Sequence, residues 1–300
     1  MHVSHPLISV YIPTHNRQLL LQRAVQSVQA QDYPHLEILI VDDGSTDGTE
    51  AAVNEWMRGD GRIRYFRHAS AMGAPTARNL AITSAKGEFI TGLDDDDWFD
   101  QQRLSQFWTA WQAHPSGNAA HPVFLYGADI TLTSAGTHAH HKPVRVQARD
   151  LCQSNCVGNQ IFAPRATWLA SGGFDTSLHA WQDLDMWIRM LGPNGHGQLV
   201  PTALQHIDAG HASPRISGLA KTRLAQSRNQ VVSSAAHLGS KAQFLLYCQM
   251  YSEYYGHVPD WGDVLYAMRA WPSTQHLLHL LSLRRKRLRQ QRQQTTPTIA

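Results

Sequence analysis

The sequence is poor in the features that mark secreted and membrane-spanning proteins. Its three cysteines, Cys152, Cys156 and Cys248, are an odd number and too few for a disulfide framework. No apolar run approaches the ~18 residues that a transmembrane helix needs. The N-terminus shows no basic segment followed by a long apolar one, so we expect no signal peptide. These absences predict a protein of the reducing cytoplasm.

The chain has no net positive charge outside the C-terminus. The net charge is +3, and one C-terminal run of six cations accounts for more than all of it: Arg284, Arg285, Lys286, Arg287, Arg289 and Arg292. The body of the chain therefore has no excess charge with which to hold nucleic acid, and we expect no such partner. The run follows several leucines, so as a helix it would be apolar first and cationic after. That suits peripheral contact with an anionic membrane at its inner face; a solvated, frayed terminus is the alternative.

The order of apolar segments predicts an α/β fold. The 300 residues, 42% of them hydrophobic, allow one large domain with a smaller appendage. Runs rich in β-branched residues alternate with helical periodicity up to about residue 100, which is typical of a mostly parallel sheet flanked by helices. The expected strands are 8–12, 36–41, 63–66, 89–93, 123–126 and 160–163. The expected helices are 18–30, one from about 47, 75–85, 103–113 and 182–190, with a loop over 133–142 and helix from about 219 to the end.

Three polar clusters follow three of the expected strands: residues 14–17, 42–45 and 94–97. Ligands of such sheets bind beyond the carboxyl ends of the strands. We therefore expect these clusters to meet in one cleft, although they are far apart in the sequence.

The run Asp94-Asp95-Asp96-Asp97 is the strongest chemical signal. Adjacent carboxylates repel each other and are costly to bury. Mn²⁺ or Mg²⁺ would remove that cost, since hard divalent cations prefer carboxylate oxygen and keep positions for phosphate. Such a cation neutralises the charge that develops on a departing nucleotide. A solvated acidic turn is the alternative.

Other polar residues leave their roles open. Asp42 or Asp43 can accept from a base or a ribose hydroxyl, and Arg78 can meet phosphate or a carboxylate. Asp183 and Asp185 lie on a probable helix about 200° apart, so only one can face the cleft.

Two histidines near the end of this region are candidate ligands. His206 and His211 can bind metal or diphosphate, with simple packing or solvation as the alternative. Nothing in the sequence alone chooses between the two histidines.

Five segments, in this order, resemble family 2 glycosyltransferases of the GT-A fold. They are the opening strand and nucleotide loop at 10–17, Val41-Asp-Asp-Gly-Ser-Thr-Asp47, Gly73 to Asn79, Leu93 to Asp97, and Gly172-Gly-Phe-Asp175 followed by Gln182-Asp183. The resemblance covers roughly Pro6 to His211. It implies a Rossmann-like mixed sheet flanked by helices, with a helical C-terminal extension.

The resemblance also implies residue roles and domain limits. Asp183, rather than Asp185, would be the catalytic base of an inverting transfer. The nucleotide-binding residues would be Pro13, Thr14, Asn16, Arg17, Asp42, Asp43, Ser45, Arg78, Asp94 and Asp95, and the metal ligands Asp96 and His211. The catalytic domain would be 1–215, with its nucleotide-binding half at about 1–100 and its acceptor-binding half at about 101–215; 216–300 would be the helical extension.

Two departures from the family pattern matter. The usual Glu-Asp pair is Gln182-Asp183 here, and the run of four aspartates fits the metal motif as Asp94/Asp96 or as Asp95/Asp97. The Gln-X-X-Arg-Trp motif of processive synthases is absent, so we expect addition of one sugar from a UDP-sugar to a glycan or lipid-linked acceptor in bacterial surface glycan assembly. The alternatives are a sugar-1-phosphate nucleotidyltransferase, which would want a glycine-rich loop where residues 13–17 have no glycine, and a silent nucleotide-sugar binding protein.

Overall fold

The computed structural model describes residues 5–114, 121–134, 136–209, 220–252 and 254–295, with side chains as far as Gln290. The chain forms two compact units. The first comprises residues 1–148, 156–176 and 182–212, and the second comprises 149–155, 177–181 and 213–300. The domain limits predicted from the sequence remain predictions.

The first unit contains the sheet. Its strands are β1 (Ile8–Thr14), β2 (Leu36–Asp42), β3 (Ile63–Arg67), β4 (Phe89–Gly92), β5 (Trp98–Phe99), β6 (Phe124–Thr133), β7 (Gly136–Ala139), β8 (Arg145–Val146), β9 (Phe162–Pro164) and β10 (Gly197–Asp208). Its helices are α1 (Gln18–Gln29), α2 (Thr49–Gly59), α3 (Ala74–Ser84), α4 (Arg103–Gln112), α6 (Arg165–Ala170) and α7 (Gln182–Leu191), while α5 (Ala148–Leu151) lies where the two units divide.

The sheet is mixed, with strand order β3-β2-β1-β4-β9-β6-β10-β5, and with β7 paired to β6 and β8 to β10. β1 to β4 run parallel to one another. β9 is antiparallel to both β4 and β6. The parallel half therefore gathers its carboxyl ends at one edge, and β9 joins the second half of the chain directly to β4.

Burial explains why the first half was predictable. β1 and β2 are buried at every position, as expected for central strands covered by helices on both faces. α1 packs Leu21, Ala24, Val25 and Val28, its residues at helical spacing, into the same core. The α/β fold class predicted from the sequence is confirmed.

Four strands were not expected, among them the two-residue β8. β7 lies within the His-rich segment predicted as a loop; every residue of it is exposed, so it carries no apolar signal. β10 contains Pro201, which argues against a strand by itself. The structure accommodates this proline where the pairing of β10 with β6 shifts register, between Val200 and Gln205. β5 is only two residues long.

The second unit is helical, as predicted for the C-terminal region. Its helices include α8 (Lys221–Ser234), α9 (Ser240–Cys248), α10 (Trp261–Ala270) and α11 (Thr274–Thr295). Buried Arg228 lies over the Tyr247 ring at 4.1 Å and donates to Tyr251 Oη at 3.2 Å. Among the described residues, none of the helices combines the length and apolar character required to cross a bilayer.

Candidate active site

The carboxyl ends of β1, β2 and β4 lie side by side, as the sequence predicted. β1 pairs with β2 in a register that sets Thr14 beside Asp42, and it pairs with β4 on its other side. Thr14 Oγ1 donates to Asp95 Oδ2 at 2.8 Å, and the Asn16 N–H donates to Ser45 Oγ at 2.8 Å. The three polar clusters therefore form one continuous surface.

Asp42 lies beneath this surface. Its side chain is 0% exposed, and it accepts hydrogen bonds from the Ser45 N–H at 2.8 Å and the Tyr65 hydroxyl at 2.6 Å. The turn that follows needs Gly44, because its φ is +75° and a Cβ there would approach the Ser70 backbone to 2.8 Å. In this state Asp42 holds the turn. Buried Pro13 is likewise part of β1, paired with Val41.

Asp43 lies where the 68–73 loop meets the strand ends. Its carboxylate accepts from His68 Nδ1 at 2.7 Å and from the Met72 and Gly73 N–H groups at 2.8 and 2.7 Å. Burial alone would raise the pKa of Asp43, but these donors outweigh burial and hold the pKa below its usual value. Asp43 is therefore ionised at neutral pH and orders the 68–73 loop.

Arg17 closes the nucleotide loop over the aspartate run. Its Nη1 donates to Asp95 Oδ1 at 3.0 Å and to Asp96 Oδ2 at 3.2 Å. Burial raises the pKa of Asp95 to about 6, although the Arg17 charge acts in the opposite direction. Arg17, predicted to bind the nucleotide, thus lies against the carboxylates of Asp95 and Asp96.

The aspartate run divides between two directions. Carboxylate oxygens of Asp94, Asp96 and Asp97 lie within 4.8 Å of one another, in an arrangement that can hold a cation. Asp95 is outside that group and faces Thr14 and Arg17. Of the two registers open in the sequence, this geometry favours Asp94/Asp96.

The electrostatics of the group fit a divalent cation. Burial, together with the charges of Asp94 and Asp96, raises the pKa of Asp97 well above its usual value. Three hard oxygen donors whose mutual repulsion a cation relieves are the chemistry that Mn²⁺ or Mg²⁺ requires. The residues present therefore fit the metal that the sequence predicted, with Asp96 in the group.

His206 does not belong to this oxygen group. Its ring stacks on Trp98 with centroids 5.1 Å apart, and burial lowers its pKa. The Arg23 guanidinium also lies over the Trp98 ring, 4.2 Å from its centroid. His211, the predicted metal ligand, lies outside the described residues.

Backbone contacts fix the position of Asp96. Arg23 Nη2 donates to the Asp96 carbonyl oxygen, and Arg23 Nη1 pairs with Asp208 at 2.9 Å. Asp97 accepts from Gln205 Nε2 at 2.9 Å and from the Asp208 N–H at 3.3 Å. The end of β10 and helix α1 thus hold the aspartate turn between them.

Asp94 faces the second half of the chain. It accepts from Asn159 Nδ2 at 2.6 Å, from Gln160 Nε2 at 3.1 Å and from Arg78 Nη2 at 3.0 Å. Gln160 in turn accepts from the buried Tyr11 hydroxyl at 3.2 Å. Three donors therefore orient Asp94 firmly.

Arg78 connects this aspartate to the predicted base. Its guanidinium is buried, donates to Gln182 Oε1 at 3.2 Å and lies 3.8 Å from Asp183 Oδ1. Burial alone would lower the pKa of Arg78, but Asp94 and Asp183 outweigh it and raise the pKa. In this structure Arg78 contacts carboxylates; a direct phosphate contact stays a prediction.

Asp183 has the surroundings of a proton acceptor. Its side chain is 25% exposed, and among the described residues no donor makes a hydrogen bond to its Oδ1. Burial raises the pKa of Asp183 to about 7, with Arg78 lowering it and Asp94 raising it further. A partly exposed carboxylate with a pKa near neutrality is suited to general base catalysis.

Asp185 points elsewhere on α7. Its carboxylate pairs with Arg189 one turn along the helix, at 2.8 Å to Nε and 2.7 Å to Nη2. The two acids thus diverge as helical geometry requires.

Sequence reasoning missed several residues of this site, namely Tyr11, Arg23, Asn159, Gln160 and Gln205. Apart from Tyr11, which lies in the 10–17 segment, none belongs to a local motif. Asn159 and Gln160 precede β9, and only the pairing of β9 with β4 brings them to Asp94. Arg23 lies on α1 among the residues between its apolar positions, where solvent exposure would be the ordinary expectation.

Solved structures share this fold. TarS from S. aureus, in a crystal structure with UDP-GlcNAc, aligns with a TM-score of 0.71 at 15% identity over 95% of this chain and 91% of its own. The mannosyltransferase PcManGT from Pyrobaculum calidifontis, in complex with GDP-Man and Mn²⁺, aligns with a TM-score of 0.58 at 21% identity over 98% and 84% of the two chains. The mixed sheet, its helices and its clustered strand ends define a protein of the GT-A class.

Sequence relatives give the family. The model of "Glycosyl transferase family 2" matches residues 9–163. WcaA of Escherichia coli K12, named for a glycosyl transferase role in colanic acid biosynthesis, is 36% identical over 229 residues, 73% of this chain and 78% of WcaA. A Campylobacter jejuni protein named GalNAc(5)-diNAcBac-PP-undecaprenol beta-1,3-glucosyltransferase is 44% identical over 93 residues, 31% of this chain and 30% of that protein. The chain belongs to glycosyl transferase family 2 and is a glycosyltransferase.

Proposed function

We propose that this enzyme transfers one sugar, with inversion, from a UDP-sugar to the hydroxyl of a glycan or lipid-linked acceptor during bacterial surface polysaccharide assembly. The reaction would take place on the cytoplasmic side of the membrane. The name of WcaA supports polysaccharide assembly, and the name of the Campylobacter protein, which contains a polyprenyl diphosphate, supports a lipid-linked acceptor. TarS with UDP-GlcNAc supports the UDP-sugar, whereas PcManGT with GDP-Man makes GDP the competing nucleotide.

The observation that carries the proposal is the position of Asp183. One buried guanidinium, that of Arg78, contacts both Asp94 of the cation-binding group and this second, unsaturated carboxylate. The site therefore combines a diphosphate-facing end and a proton-accepting end, which sugar transfer requires and simple nucleotide binding does not.

The residues divide the chemistry as follows. Asp183 takes the proton of the acceptor hydroxyl as its oxygen bonds to the anomeric carbon, and the bond from that carbon to the diphosphate breaks with the electron pair leaving on UDP. Asp96, with Asp94 and Asp97, would hold the cation, which when bound neutralises charge on the departing diphosphate. Asp43 would bind the uracil, and Thr14, Asn16, Arg17 and Ser45 would line the nucleotide loop.

The nucleotidyltransferase alternative is not favoured. Such an enzyme would hold a triphosphate on a glycine-rich loop, and Pro13 to Arg17 contain no glycine. Membership of a glycosyltransferase family points the same way.

A donor screen tests the proposal. Purified protein with Mn²⁺ is supplied with UDP- and GDP-sugars in parallel, with and without a mixture of polyprenyl diphosphate-linked acceptors, and nucleoside diphosphate release is measured. We expect acceptor-dependent UDP release with one or a few UDP-sugars. Release of GDP alone would refute the choice of nucleotide, and pyrophosphate release from a nucleoside triphosphate would favour the nucleotidyltransferase.

A further inference from the structure

The end of the second unit concentrates exposed apolar side chains. Among the described residues, eleven large hydrophobic side chains are exposed, and six of them lie in this short part of the chain: Tyr254, Trp261, Leu265, Tyr266, Leu278 and Leu288. Groups of exposed apolar side chains mark interaction surfaces.

The same part of the chain is strongly cationic. After Asp263 the sequence has seven arginines and lysines and no acidic residue. Two of these cations serve the fold of the unit itself. Arg287 is buried and donates to the Tyr251 carbonyl oxygen at 2.8 Å, and Arg284 donates to the Pro259 carbonyl oxygen.

Other cations lie on one exposed face of α11. Arg285, Lys286 and Arg289 are exposed and follow Leu278 and Leu281 at helical spacing, so apolar and cationic residues succeed each other along a single face. On α11, as far as Gln290, these three are the exposed cations.

The neighbouring helix α10 carries an exposed apolar stripe. Trp261 and Leu265, one turn apart, are 61% and 66% exposed. The Arg284 guanidinium lies 5.1 Å from the Trp261 ring centroid. This contact holds the start of α10 beside α11.

We infer that α10 and α11 form one docking surface for an anionic phospholipid bilayer, with Trp261 and Leu265 entering the interface and Arg285, Lys286 and Arg289 contacting lipid phosphates. The inference rests on the proposed function insofar as a lipid-linked acceptor requires the enzyme at a membrane. Tryptophan and leucine beside lysine and arginine are the composition that interfacial binding favours. Nucleic acid is a poorer fit, because stacking bases need a free aromatic face and Arg284 lies over the Trp261 ring.

Vesicle flotation tests this surface. The full chain is mixed with vesicles of neutral phosphatidylcholine, or of phosphatidylcholine containing phosphatidylglycerol, at low and high salt. We expect binding to the anionic vesicles only, weakened by salt. Each cation near an anionic surface contributes roughly a fivefold factor, so Arg285→Gln/Lys286→Gln/Arg289→Gln should lower the partition coefficient about a hundredfold. Trp261→Ala/Leu265→Ser should lower it roughly tenfold at any salt concentration.

A matched triple variant removes the same charge elsewhere. Arg58→Gln/Lys86→Gln/Lys241→Gln changes three exposed cations outside the surface and should float like the unchanged protein. Thermal melting checks that every variant is folded. Equal losses in the two triple variants, no flotation of the unchanged protein, or binding to an oligonucleotide but not to vesicles would overturn the inference.

Donor hydrolysis separates this result from the proposed function. Slow UDP release from a soluble UDP-sugar should be the same in the Arg285/Lys286/Arg289 variant and the unchanged protein. Absence of release in both, with the acceptor mixture present as well as without it, would count against the proposed function and leave the flotation result standing.

Discussion

The two halves of the first unit's sheet supply the candidate site in different ways. Up to residue 100, most functional groups lie at or just after the carboxyl end of a parallel strand, as Thr14 ends β1 and Asp94 follows β4, while Arg78 lies on the neighbouring helix α3. Beyond residue 100, the groups come from a segment before a short antiparallel strand and from a helix, as with Gln160 and Asp183. The position of a residue along the sequence is enough to place the groups before residue 100, whereas strand pairing and helix packing place the groups after it.

The halves also differ electrostatically. In the first half Asp43 is held ionised by three donors, with its pKa lowered. In the second half Asp183 lacks a hydrogen bond to Oδ1 among the described residues and has its pKa raised to about 7. With the roles proposed above, the first half binds the nucleotide and the second accepts a proton, so substitutions in the two halves should separate binding from turnover.

The largest separation is expected at Asp183. Asp183→Asn keeps the shape of the side chain but removes its basicity, so sugar transfer should fall by about 10²–10⁴-fold. Mn²⁺-dependent UDP binding, measured by calorimetry, should be retained. Asp185→Asn is the matched control on the same helix, because it keeps a hydrogen-bond acceptor for Arg189, and its transfer rate should stay within a few-fold. Undiminished turnover in Asp183→Asn would remove Asp183 as the base.

The converse effect is expected at Asp96. Asp96→Ala should weaken UDP binding roughly a hundredfold when Mn²⁺ is present, because it removes one cation ligand, and should change it little in the presence of a chelator. Asp95→Asn tests the register, since Asp95 faces Thr14 and Arg17: its effect should be similar with and without metal. A loss at Asp96 that persists in chelator would argue against direct ligation.

The sequence predicts the strands and site residues of the first half of the sheet better than those of the second half. Fully buried strands such as β1 and β2 are recognisable in the sequence as continuous apolar runs, and the polar residues at their ends can be assigned to the site from the sequence alone. β10 could not, because Pro201 interrupts it and the register shift that accommodates the proline depends on β6. Gln205 depends on that strand for its contact with Asp97, and so it was missed with it.

The choice between Asp42 and Asp43 shows a second limit. Both lie at the carboxyl end of β2 and carry the same group, so spacing treats them alike. Both are buried, and the structure separates them by their partners, since Asp42 accepts from Tyr65 and Asp43 accepts from the 68–73 loop. The hydrogen-bond partners at a strand end come from the packed neighbours, which no local pattern contains.

The pH dependence of turnover should follow the ionisation of Asp183 in the second half. A base must be ionised to act, and the pKa of Asp183 is raised to about 7, so activity should be present above pH 7 and lost as the pH falls through it. From the ionised fraction, kcat/KM should drop roughly thirtyfold between pH 8 and pH 5.5. UDP binding over the same range serves as the control. A rate profile that falls only below pH 5 would mean that an acid with an ordinary pKa controls the reaction.

The smallest effect is expected for Mn²⁺ binding, and it tests whether Arg23, which lies outside every motif, helps to build the cation site of the first half. Arg23 fixes the Asp96 carbonyl at the carboxyl ends of the strands. Arg64 makes a comparable pair of contacts near the opposite ends, to Glu37 at 2.7 Å and to the Ser84 carbonyl oxygen at 2.9 Å. Arg23→Gln should weaken Mn²⁺ binding about tenfold, as loss of a group that orients a ligand does. Arg64→Gln should lower the melting temperature and leave Mn²⁺ affinity unchanged. Equal Mn²⁺ affinities in the two variants would mean that the aspartate turn holds its shape without α1, and that local order alone is enough to build the cation site.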